Sequence, residues 1–135
     1  PASGLQRGAY VLADAEGGAP EVVIMATGSE VQLAVGAYER LTAEGVRVRV
    51  VSFPSWELFR GQPRSYRDEV LPPSVKARLA VEAATPLGWR EWVGDAGAVI
   101  GLDHFGASAP GEKVLEAFGF TTDNVAASAR RLARG

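Results

Sequence analysis

The stretch EVVIMATGSEVQLAVGAYERLTAEGVRVRVVSF, residues 21–53, spells a strand, a helix and a second strand in succession. Glu21 to Ala26 is a short apolar run rich in β-branched residues, the composition of a strand covered on both faces. A tight turn at Thr27 and Gly28 follows. Ser29 then stands at an N-cap position with Gln32 three residues on, the S-x-x-Q spacing of a capping box. From there Val31, Ala34, Val35, Tyr38 and Leu41 recur at a helical period and leave Gln32, Glu39, Arg40 and Glu44 on the other side. Gly45 is expected to close the helix in the left-handed C′ conformation. Val46 to Phe53 alternates, with Val46, Val48 and Val50 on one face and Arg47, Arg49 and Val51 on the other. A connection of this length makes the two strands parallel, and the handedness rule makes the crossover right-handed.

Upstream, Gly8 to Ala13 (GAYVLA) reads as a strand, and the turn-forming DAEGGAP after it suits a hairpin. The first strand is therefore expected antiparallel to Glu21–Ala26, at a sheet edge. Residues 1–7 are small and polar and read as a linker remnant of something longer, which leaves 8–135 as the domain. Downstream, Pro54 breaks the strand and Ser55 is placed to cap a short turn, WELF. Ser65 with Asp68 offers another cap before YRDEV, and Pro72 and Pro73 end that segment. A fourth strand is expected at Ala77–Ala83 and a fifth at Ala98–Leu102. Between them TPLGWREWVG is too short and too rich in glycine and aromatics for a regular crossover helix. Two helices should follow, PGEKVLEAF closed by Gly119, and TDNVAASARRLA from near Thr121, with Asp123 in its first turn and arginines in its last. The fold class is α/β: three layers, α/β/α, around a mixed sheet of about five strands, mostly parallel, with one antiparallel edge strand.

A chain of 135 residues buries enough surface to fold as one domain without a staple. It has no cysteine and one histidine, so thiolate and multi-histidine metal sites are excluded. A formal charge of −2 provides no broad positive field for nucleic acid. No apolar run approaches the ~18 residues of a membrane span, and the first residues lack a signal-peptide layout. No membrane or nucleic-acid partner is expected, and the location reads as cytoplasmic.

Ligands of open parallel sheets gather at the carboxyl ends of the strands. Here Gly28, Ser29, His104 and Ser108 would form the rim of an anion or small-ligand site there. TGSE at a helix start offers backbone N–H groups, but it lacks the lysine-bearing loop of a nucleotide cradle. GASAPG at 106–111 falls short of the nucleophile elbow: its second glycine is one place late, Pro110 occupies the turn, and His104 precedes the serine. GDAG at 94–97 with Asn124 resembles a G-D-G…N metal pattern, yet position 96 is alanine and a strand follows it, so no metal site is assigned. No residue is assigned as catalytic or cofactor-binding. Trp89 and Trp92, in an irregular segment, are candidates for contact with another domain and are expected to expose apolar surface.

Together the segments TGSEVQLAV (27–35), RVRVVSFPSWELF (47–59), YRDEVLPPSV (66–75), RLAVEA (78–83), LGW (87–89), GAVIG (97–101), FGASAPGEKV (105–114) and FGFTTDNV (118–125) resemble, in order and spacing, the C-terminal domain of the transketolase family. The resemblance implies a five-stranded mixed sheet with one antiparallel strand. It also implies a parent homodimer that moves a two-carbon ketol unit from a ketose phosphate to an aldose phosphate, using thiamine diphosphate and a divalent metal, Mg or Ca. In such enzymes the cofactor lies between the other two domains, and the catalytic and phosphate-gripping residues have no matching positions here. The expected role is a structural and interaction module, inactive alone. The alternatives are a regulatory anion or metabolite site at the strand ends, and a subunit of a split transketolase.

Overall fold

A computed structural model describes residues 6–82, 88–101 and 120–135. Among them five strands form one sheet in the order β1-β3-β2-β4-β5: β1 Tyr10–Ala13, β2 Val22–Ala26, β3 Val48–Ser52, β4 Arg78–Glu82 and β5 Ala98–Gly101. β2, β3, β4 and β5 run parallel, with Val22 opposite Val48 and Leu79 opposite Ala98.

β2 is central because all five of its residues are buried. Its side chains alternate between two cores, as a strand requires. Val22, Ile24 and Ala26 enter one, and Val23 and Met25 the other. Over the first face lie α1, Val31–Ala43, and α5, Thr122–Arg134, which bury Ala34, Ala37 and Leu41 against Val125, Ala126 and Ala129. Glu44 and Arg130 join the two helices at 2.7 and 2.8 Å, and Arg40 pairs with Asp123. The second face carries three short helices: α2 Trp56–Arg60, α3 Arg64–Val70 and α4 Arg90–Val93. This is the three-layer arrangement expected. The anticipated helix over PGEKVLEAF lies outside the described residues.

The end of α1 follows the glycine rule. Gly45 has φ +85°, and Val46 N–H donates to the Leu41 carbonyl at 2.9 Å. Its start does not follow the capping box. Gly28–Glu30 forms a 3₁₀ turn, in which Glu30 N–H donates to the Thr27 carbonyl, and Glu30 rather than Ser29 is the N-cap of α1. Ser29 Oγ instead donates to Glu30 Oε2 at 2.5 Å. The α3 cap expected of Ser65 also fails: Pro63 is the N-cap and Ser65 lies inside the helix. Ser55 and Thr121 do cap, accepting from Leu58 N–H at 3.2 Å and Asn124 N–H at 3.0 Å.

β1 is an antiparallel edge strand as anticipated, but its partner is β3 and not β2. A hairpin onto β2 needs a vacant edge there, and both edges of β2 are taken by β3 and β4. Val11 pairs with Val51, and a register shift follows before Ala13. Asp14 then accepts from Arg49, a β3 side chain, at 2.9 Å.

Trp89 and Trp92 are buried, contrary to the exposure expected of them. Phe53 stands at their centre, its ring 5.4 Å from Trp89, 5.1 Å from Trp92 and 5.1 Å from Phe59. Both rings belong to the buried cluster under the short helices, so their apolar area is used within the chain. Gly88, at φ +94°, allows the close approach of the Trp56 ring, which a Cβ would meet at 2.6 Å.

Candidate functional site

At the carboxyl ends of β2, β3 and β4 a cleft of about 340 Å³ opens between Thr27, Phe53, Pro54, Ser55, Trp56, Glu57 and Glu82. The topology makes it: Thr27 and Glu82 leave neighbouring parallel strands at the same level, and Thr27 Oγ1 donates to Glu82 Oε1 at 3.0 Å. Pro54 stops β3 and Ser55 starts α2, which lays Trp56 and Glu57 along the opposite wall. Gly28 and Ser29 are exposed beside it, and the neighbouring Glu30 is 8% exposed. His104 and Ser108, the other rim residues expected from sequence, lie outside the described residues.

The electrostatics of this cleft oppose an anion. Glu57 and Glu82 line it, Glu30 sits behind the turn, and among the described residues no lysine or arginine is part of its wall. One backbone N–H of the turn, that of Glu30, is already given to the Thr27 carbonyl. Among the described residues no group of three or more His, Cys, Asp and Glu side chains could share a metal ion.

The carboxylates held below their ordinary range are Asp14, Glu44 and Glu91, each chiefly by a hydrogen bond from an arginine: Arg49, Arg130 and Arg60 respectively. None lines the cleft. They are surface ion pairs, which lower a carboxyl pKa without serving chemistry.

A residue that sequence reasoning passed over is Arg78, the first residue of β4. Its guanidinium donates to four backbone carbonyls, those of Val75, Trp92, Leu71 and Pro72, at 2.8 to 3.2 Å. Burial pushes its pKa down, and the carbonyls take the place of a carboxylate partner. The available signal was an arginine opening an otherwise apolar strand, behind two prolines.

Known proteins similar to this chain are transketolases. Transketolase of Geobacillus stearothermophilus is 57% identical over 122 residues, 90% of this chain and 18% of that protein. Transketolase 1 of Escherichia coli K12 is 55% identical over 128 residues, 95% of this chain and 19% of that protein. In structure, transketolase from Leishmania mexicana superposes with a TM-score of 0.86 at 42% identity, over 98% of this chain and 19% of the other. The chain thus spans about a fifth of the length of the relatives it matches. The model of the transketolase-like TK C-terminal domain matches residues 8–121, a span that takes in all five strands and the cleft, and this chain belongs to that family.

Proposed function

We propose that the chain is the scaffold and contact domain of a transketolase, with the reacting groups supplied by the rest of the parent enzyme. The observation that carries this reading is the asymmetry of the match, which takes in nine-tenths or more of this chain and less than a fifth of its relatives. The parent reaction is transfer of a two-carbon ketol unit between a ketose phosphate and an aldose phosphate, with thiamine diphosphate and a divalent metal, in a cytoplasmic homodimer.

The strand-end cleft does not fit that cofactor. A diphosphate needs cations or several vacant N–H donors, and the strand-end cleft offers Glu57 and Glu82. A divalent ion needs a cluster of oxygen or nitrogen ligands, and none is formed among the described residues. No chemical step is therefore assigned to this chain. For the same electrostatic reason a regulatory anion site at Gly28 and Ser29 is the weaker alternative. Contact with neighbouring domains falls to Leu12 on the edge strand and Leu58 on α2, the large apolar side chains exposed among the described residues.

Reconstitution tests the reading. Mixing the chain with a polypeptide carrying the missing domains should give association that weakens when Leu58 is replaced by glutamate. Turnover that requires both polypeptides would favour a split-enzyme subunit. Absence of any association would remove the contact role.

A further inference from the structure

A second cavity lies at the other end of the sheet, against the start of β4 and the residues preceding β5. It encloses about 540 Å³, within the range of small-molecule pockets. Arg67, Lys76 and Arg78 line it together with Asp68, Glu91 and Asp95, so by formal count its wall is neutral. The pairing breaks that balance. Each of the three carboxylates has an arginine that is not part of the wall: Asp68 has Arg64 at 3.7 Å, Glu91 has Arg60 at 2.7 Å, and Asp95 has Arg90 at 3.5 Å.

The three cations are not compensated in the same way. Among the described residues Arg78 donates only to carbonyls, and Arg67 Nε donates to the Gln62 carbonyl at 3.1 Å. Neither they nor the exposed Lys76 has a carboxylate within ion-pair distance among the described residues, although Asp68 lies near enough to Arg78 to favour its charge. Desolvation by burial is the larger influence on Arg78. The cavity therefore presents three cations that, among the described residues, have no carboxylate at ion-pair distance, while its floor includes Phe59 and Trp92. The acidic cleft at the carboxyl ends has the opposite character.

We propose that this amino-end cavity binds a small phosphomonoester, its dianionic phosphate held by Arg67, Lys76 and Arg78 and its organic part packed on the Phe59 and Trp92 side. A dianion matches several uncompensated cations better than a monoanion does, and charge-assisted bonds to a phosphate are the strong ones. The aromatic floor distinguishes an ester from free phosphate.

The test is titration of the chain with phenyl phosphate and with inorganic phosphate, followed by tryptophan fluorescence and calorimetry. Saturable binding is expected, with phenyl phosphate at least about fivefold tighter than inorganic phosphate. Lys76→Gln and Arg67→Gln should each weaken phenyl phosphate by about fivefold or more, with Lys76→Gln leaving the melting temperature unchanged because that side chain is exposed. Ser29→Ala, at the far end of the sheet, should leave binding as it is. The proposal is overturned by the absence of saturable binding up to about 20 mM, by equal affinity for the two phosphates, or by variants that bind as the parent chain does.

Discussion

Replacing Arg78 with methionine keeps most of the apolar stem of the side chain and removes the guanidinium, so it isolates the carbonyl clamp. Four hydrogen bonds from a charged donor would each contribute about 1.5 kcal/mol at the low end of the range, roughly 6 kcal/mol together. Two effects cut that figure. Part of the gain is offset by burial of the charge, which is why the pKa of Arg78 is pushed down. Some of the freed carbonyls also regain water, because the site borders an open cavity. Halving for these gives about 3 kcal/mol for Arg78→Met, or a fall in melting temperature of about 10 °C for a domain of this size. Arg78→Lys should recover less than half of the loss, since a single ammonium cannot span four acceptors arranged for a planar fork. Urea unfolding followed by the fluorescence of the buried Trp89 and Trp92 measures both. A loss under about 1 kcal/mol in Arg78→Met, or a lysine variant equal to the parent, would refute the clamp.

Ser55→Ala and Thr121→Ala should each cost about 1 kcal/mol in urea unfolding, because each removes a hydroxyl that accepts a helix-start N–H. Ser29→Ala should cost less than about 0.5 kcal/mol, because Ser29 makes no such cap. Gly8→Ala should cost about 3 kcal/mol by the same measurement. Its φ is +86°, and a Cβ there would meet Phe59 N and the Ser55 carbonyl at 2.4 Å, both backbone atoms of the first turn of α2. Asp14, Glu44 and Glu91 have folded pKa values below their unfolded ones, so their stabilisation is present above the ordinary carboxylate range and is lost as the pH falls through the depressed values. The melting temperature should therefore drop below about pH 4. Arg49→Met, which removes the main cause of the Asp14 shift, should flatten that acid limb, as should about 0.5 M salt, since the carboxylates are largely exposed.

The parts of the fold legible in the sequence are those whose cause is local. VVIMA could be read as a covered strand from its β-branched run, and Gly45 as a helix end from its backbone freedom. The partner of β1 was not local. DAEGGAP has turn chemistry, but whether the strand before it closes a hairpin depends on who else claims the edge of β2, and β4 arrives from more than fifty residues away. Ser29 shows competition at short range: with Gly28 at φ +58° the chain tightens into a 3₁₀ turn, and the capping geometry is lost although the S-x-x-Q spacing is right.

The cleft was legible in its position and not in its character. The strand-end cleft lies where sheet topology puts it, and Gly28 and Ser29, expected at its rim, stand exposed beside it. Its negative sign comes from Glu57 and Glu82, which meet only when β3 and β4 flank β2. Trp89 and Trp92 illustrate the limit of reading exposure from segment type: an irregular segment can roof a core, and the deciding contacts with Phe53 and Phe59 come from thirty or more residues upstream.

The most direct measurement of the scaffold reading is a ketol-transfer assay on the purified chain, supplied with thiamine diphosphate, magnesium, a ketose phosphate and an aldose phosphate in excess. The account predicts product formation at the rate of the protein-free mixture. Sustained turnover proportional to the amount of chain would contradict it.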